Sequence, residues 1–140
     1  MTFWLLVHVF TSLFMCGLCW FVQVVHYPLF LKIDPQDFPG YEFKNIILTG
    51  IIAVPIMTIE LGSGVYLAYH DWNNLHLFNL ILMALTGAST FIFQAPIHLK
   101  LSTSHDFPLI KKLIRTNWIR TISWTLRVFI LALLIKEISF

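Results

Sequence analysis

The chain has 140 residues, 58% hydrophobic and 16% aromatic but only 11% charged, with a formal net charge of +2 and a mean hydropathy of +0.79. A soluble domain carries roughly 25% charged residues to solvate its surface, so this composition excludes one and predicts a membrane protein. The 9 Lys and Arg residues offer no basic face for nucleic acid, and the 2 cysteines cannot make a disulfide scaffold or a four-thiolate metal site.

No charged side chain occurs before Lys32, and an apolar run longer than about 20 residues predicts a spanning helix. The opening Met1-Thr2-Phe3-Trp4 is neutral and the apolar run continues past Trp20, unlike a cleaved leader with its basic start and short core. Asp34-Pro35-Gln36-Asp37-Phe38-Pro39-Gly40 reads as a turn-rich break. A second apolar segment comes next, interrupted only by Glu60, then a third, and Ser102 to Pro108 breaks the pattern again. The fourth segment carries Arg115, Arg120 and Arg127 on an apolar background. The expected spans are roughly 3–31, 44–69, 72–101 and 109–136 in a single transmembrane domain, an all-α antiparallel up-down four-helix bundle. Lys32, Lys44, Lys100, Lys111, Lys112 and Arg115 fall around the first and third connections, whereas only Lys136 lies on the other side. By the positive-inside rule both chain ends are expected on the non-cytoplasmic side.

Polar side chains inside hydrocarbon are costly, so each is a packing device or part of a site. His8, Ser12, Cys16, Cys19, Gln23 and His26 recur at steps of three or four and share one stripe. Gln94 and His98 share a face of the third helix with Thr90, and Asn117, Arg120, Trp124 and Arg127 share one on the fourth. The second helix contributes Glu60, with Ser63 and Gly64 one turn on. At about 1.5 Å rise per residue, His26, His98, Asn117 and Arg120 fall in one layer near the cytoplasmic ends, and Glu60 and Arg127 in a deeper one beside Ser12 and Cys16. Opposite charges at one depth are expected to pair, either to fix helix neighbours or as part of a site.

His26 and His98 can be read as ligands of a single metal ion or a haem, or as hydrogen-bonding groups near the headgroups. A di-iron carboxylate centre is excluded because Glu60 is the one acidic residue expected inside. Cys16-Gly17-Leu18-Cys19 fits a Cys-x-x-Cys pattern but reads as packing in an apolar helix. His8, His70, His76 and His105 are assigned no function. Pro55 is expected to kink the second helix, and Gly62-Ser63-Gly64 and Gly87-Ala88-Ser89 to mark close helix contact.

Val25-His26-Tyr27-Pro28-Leu29-Phe30, Pro96-Ile97-His98-Leu99-Lys100-Leu101 and the run from Asn117-Trp118-Ile119-Arg120 to Trp124-Thr125-Leu126-Arg127 together resemble the small bacterial four-helix membrane proteins of the anthrone-oxygenase-like kind. That resemblance covers nearly the whole chain and implies oxidation of a flat lipophilic phenolic ketone to a quinone by dioxygen. A weaker likeness, to the haem-binding protoporphyrinogen oxidases of bacterial membranes, keeps haem under consideration.

The expected function is a small integral-membrane oxidoreductase or oxygenase, in a bacterial inner membrane, acting on a lipophilic aromatic or quinone-like substrate. Its catalytic residues would be His26, His98, Asn117 and Arg120, with His26 or His98 as proton acceptor and Arg120 stabilising an enolate or phenolate. Gln23, Gln94 and Trp124 would line the substrate, and Glu60 and Arg127 form a buried ion pair. The alternative is a non-catalytic accessory subunit or a lipid- or pigment-binding protein of a larger membrane complex, and a transporter or channel is third. The expected partners are the bilayer, a lipophilic small molecule, and a second copy or a complex partner, with no nucleic acid.

Overall fold

A computed structural model describes residues 2–139, with side chains for residues 3–136. Every regular element among the described residues is helical. Four helical stretches are long and apolar enough to cross a membrane: a first span Phe3–Phe30, a second Phe38–His70, a third Asn74–Leu101 and a fourth Phe107–Lys136. The shortest of these has 28 residues, which at about 1.5 Å per residue exceeds the roughly 30 Å hydrocarbon core of a bilayer. The first span packs against the second and fourth, and the third against the fourth, while the seam between second and third is sparser.

The connections are short and locally capped. Asp34 accepts from the Gln36 amide at 2.9 Å, and Asn73 caps the third span by accepting from the His76 amide at 3.0 Å. Asp106 accepts from the Leu109 amide at 2.9 Å and starts the fourth span. The second helix starts at Phe38, well before the boundary expected near residue 44. Pro39 and Gly40 look like a turn, yet proline at the first helical turn has the right φ and loses no hydrogen bond there. Phe38 is wholly buried against Phe30, Ile97, Leu101, Ile110 and Leu113, which clamps this start onto the bundle. The early start carries Glu42 inside the helix and turns it inward, fully buried.

The distribution of side chains is inverted relative to a soluble protein. Large apolar residues such as Phe10, Val24, Leu48, Ile51, Phe91, Ile92, Leu99 and Phe129 are exposed, while His8, Ser12, Gln23, Glu42, Glu60, Asn79, Gln94, Asn117 and Arg127 are buried. That is the economy of a protein whose outer solvent is hydrocarbon and whose polar groups must satisfy one another.

Two spans contain a widened turn. The first has a π-helical segment Val22–His26 just before Pro28, and the third has one over Thr90–Gln94 just before Pro96. Proline lacks the N–H and crowds the carbonyl one turn back, and an extra residue in that turn relieves both. The extra residue also rotates the remaining turns of the helix about its axis. On the first span Cys19, Gln23, Tyr27 and Phe30 face the core, so Tyr27 continues the inward face and His26 is only half-buried. On the third, Ser89 donates to Gln94 Oε1 at 3.0 Å, a five-residue reach that suits the π spacing.

Of the two small-residue clusters, only Gly64 meets a neighbour closely. A Cβ there would stand 2.7 Å from His8 Cε1 and 2.8 Å from Met83 Sδ, whereas at Gly62 and Gly87 nothing lies within 4 Å. Gly64→Ala should therefore cost about 1–3 kcal/mol by overpacking a histidine held at both nitrogens, and Gly62→Ala should be near neutral. Thermal unfolding in detergent checks this, and equal melting temperatures for the two variants would refute it.

Candidate functional site

The interior polar groups form two networks. The deeper one is built on Glu60, whose Oε1 accepts from Ser12 Oγ at 2.8 Å, Trp124 Nε1 at 3.0 Å and Arg127 Nη1 at 3.0 Å, with Trp124 also reaching Oε2 at 3.1 Å. Arg127 Nε donates to Asn79 Oδ1 at 2.9 Å, and its Nη2 reaches Ser12 Oγ at 3.4 Å. Asn79 Nδ2 lies 2.9 Å from His8 Nε2, and His8 Nδ1 lies 2.9 Å from Ser63 Oγ, which donates to the Glu60 carbonyl at 3.1 Å. With Asn79 Oδ1 accepting from Arg127, its amide nitrogen must donate to His8 Nε2. That leaves the proton of a neutral imidazole on Nδ1, pointing at Ser63. All four spans meet here. The ion pair joins as expected, at the depth of Ser12, and His8, which sequence reasoning passed over, proves wholly buried within it.

The second network lies near the Leu31 and Ser102 ends of the spans. Tyr27 Oη is 2.8 Å from His98 Nε2, and His98 Nδ1 is held by Glu42 Oε1. Glu42 Oε2 accepts from Asn45 Nδ2 at 3.0 Å, and Asn45 Oδ1 is 2.9 Å from His26 Nε2 and accepts from Thr49 Oγ1 at 3.0 Å. With Glu42 accepting Nδ1–H of His98, Nε2 is left to accept the phenolic proton of Tyr27. The two histidines thus converge on one carboxylate, His98 directly and His26 through Asn45.

Asn117 and Arg120 extend the cluster. Gln23 Oε1 accepts from Asn117 Nδ2 at 3.0 Å, Gln23 Nε2 donates to the Ile114 carbonyl at 3.1 Å, and Arg120 Nη1 reaches Asn117 Oδ1 at 3.4 Å. Arg120 also interacts with Tyr27, and its Nε is buried with no hydrogen-bond partner among the described residues. Its guanidinium lies over the Trp124 ring, 5.3 Å from the centroid. Trp124, whose N–H is bound to Glu60, therefore stands between the two networks.

The residues expected to line a substrate divide. Gln23 and Gln94 are buried and hydrogen-bonded inside the bundle, Gln94 to Ser89 and to Thr116 Oγ1 at 3.2 Å. Trp124 does line a cavity, together with Glu60 and Arg127, at the seam of the second and third spans. Both cysteines are free; Cys16 approaches Thr125, and Cys19 packs with Met15 and Trp124. Glu42 corrects the expectation that Glu60 is the one interior acid, because the turn-like Pro39-Gly40 hid a helix start. Even so, among the described residues no group of three or more His, Cys, Asp or Glu is placed to hold a metal ion. Both ring nitrogens of His98 are engaged, Nε2 by Tyr27 and Nδ1 by Glu42, so a group bound at Nε2 would have to displace the Tyr27 hydroxyl.

Comparison with protein-family models, with curated proteins and with solved structures finds no match for this chain.

The deep network predicts how its ion pair responds to mutation. Arg127→Leu strands a buried carboxylate and should cost about 3–5 kcal/mol, with much of that recovered in Glu60→Leu, Arg127→Leu. Exchanging the charges, Glu60→Arg with Arg127→Glu, should not restore stability, because the Trp124 N–H can only donate and would then face a cation. Unfolding of the purified variants measures both, and a charge exchange as stable as wild type would refute the assignment.

Proposed function

We propose that this protein is a membrane-embedded oxidoreductase that removes a proton from a lipophilic, phenolic or quinone-like molecule at the Glu42–His98–Tyr27 cluster, with Arg120 holding the resulting anion. The observation that carries the reading is the Tyr27–His98–Glu42 chain itself. A carboxylate on Nδ1 orients the imidazole so that Nε2 faces the Tyr27 hydroxyl as its acceptor. A substrate proton passes to the Tyr27 oxygen as the phenolic proton moves to His98 Nε2. Arg120, which interacts with Tyr27, is the cation that a developing enolate or phenolate requires. His98 retains a side-chain exposure of 16%, which leaves a path to it. Asn117 holds Arg120, and Asn45 with His26 holds the far oxygen of Glu42.

The reaction that fits this chemistry, and that the resemblance to the anthrone-oxygenase-like proteins implies, takes an anthrone and dioxygen to an anthraquinone and water. The bundle is antiparallel and up-down in this reading, which draws support from the first two spans, where His8 meets Ser63, Ser12 meets Glu60 and His26 meets Asn45. The same reading has that end in the cytoplasm and both termini on the other side of a bacterial inner membrane, supported by the basic residues near Leu31 and Ser102.

A second reading, an accessory subunit of a membrane complex, draws on the second span, of whose apolar stretch only 11% is buried. Co-purification of a stoichiometric partner would favour it.

The enzyme reading is tested by following anthrone oxidation in detergent under air. Glu42→Gln, His98→Ala and Tyr27→Phe should each lower kcat by roughly 100-fold or more while the protein stays folded, and wild-type protein that leaves the rate of spontaneous oxidation unchanged would sink the reading.

A further inference from the structure

The seam between the second and third spans contains a cleft of about 430 Å³, within the roughly 300–1,000 Å³ that drug-sized ligands fill. Its walls are Val54, Met57 and Leu61 on one side and Met83, Gly87 and Phe91 on the other. Val54, Leu61 and Phe91 are themselves exposed on the outer surface of the bundle, so the mouth opens sideways, where a membrane protein meets lipid tails. Gly87 leaves open space where a side chain would project. At the inner end are Glu60, Trp124 and Arg127.

The inner end decides what the cleft accepts. Glu60 and Arg127 neutralise each other, so an ionic headgroup brought there would gain no countercharge and would lose its hydration. Hydrogen-bonding capacity nevertheless remains. Arg127 directs one N–H of each terminal nitrogen to Glu60 and Ser12, which leaves the second N–H of each. Among the described residues, Glu60 Oε2 accepts only the shared Trp124 N–H. A carbonyl oxygen can accept from the arginine, and a hydroxyl can donate to the carboxylate.

We propose that this cleft is a lateral binding site for an uncharged lipophile with a flat carbonyl- or hydroxyl-bearing head of the quinone class, its head at Arg127 and Glu60 and its tail leaving between the second and third spans. The inference stands apart from the chemistry at His98, since binding here requires no turnover.

Trp124 supplies the readout, because quinones quench indole fluorescence on contact. Titrating the detergent-solubilised protein with a decyl-substituted benzoquinone should give saturable quenching. Gly87→Phe, which fills the cleft, should weaken binding roughly tenfold or more, while Gly62→Phe, equal in bulk but on the exposed side, should bind as wild type. Linear, non-saturating quenching shared by all three proteins would overturn the site, and so would undiminished affinity in Gly87→Phe. Decanoate competing as well as the quinone would overturn the uncharged head. Should Gly87→Phe fail to fold, a decyl benzoquinone carrying a diazirine on its tail decides the matter in wild-type protein. Cross-links within 54–61 and 83–91 support the cleft, and cross-links confined to other segments refute it.

Discussion

Hydrocarbon cannot satisfy a polar group, so every donor and acceptor inside this bundle has to find its partner on a neighbouring helix. The Glu60 carboxylate is where that constraint is most concentrated. It accepts from Ser12 on the first span and from Trp124 and Arg127 on the fourth, and Arg127 is held in turn by Asn79 on the third. Remove the carboxylate and an indole N–H, a guanidinium and a hydroxyl lose their acceptor at once. Apolar packing between the spans discriminates weakly, because lipid tails offer similar contacts. Which helices become neighbours, and at what height, is therefore fixed largely by this one group and its donors.

The same constraint governs the other end, with a different composition. There the widened turns before Pro28 and Pro96 rotate Tyr27 and Gln94 into the interior, and the early helix start at Phe38 brings Glu42 to meet His98. Local backbone chemistry thus determines which side chains converge. Trp124 joins the two regions, with one edge bound to Glu60, one face under Arg120 and part of its surface on the seam cleft.

Much of this was legible in the residues alone. Four apolar runs were evident from length, and Glu60 and Arg127 could be paired because isolated charges at one depth in hydrocarbon have no alternative. What escaped did so for identifiable reasons. Glu42 lay behind Pro39-Gly40, which suits a turn and a helix start equally, and only the burial of Phe38 distinguishes them. Tyr27 was passed over because a 3.6-residue period places His26 on the inward stripe, and a π turn abolishes that period locally. A proline late in an otherwise continuous apolar helix was the available signal. His8 and Asn79 lie near the ends of their spans, where a polar residue is ordinarily solvated. Their burial depends on Gly64 letting the first span close on the second, a contact between residues distant in the chain.

The two networks also differ in what their protons can do. Around Glu60 two of the donors are an indole and a guanidinium, which hold their protons under all ordinary conditions, so that network is fixed and serves to position. Around Glu42 the order is carboxylate, imidazole, phenol, and the imidazole and phenol can each both give and take a proton. Displacing the Tyr27 proton onto His98 yields an imidazolium facing a carboxylate and a phenolate facing Arg120, so each new charge arises beside its counterion. The Glu60 network already joins all four spans, so the Glu42 chain is a second and separate set of contacts between them. It sits at the partly exposed end of the interior with a cationic side chain alongside, and on that difference in proton chemistry the proposed function rests.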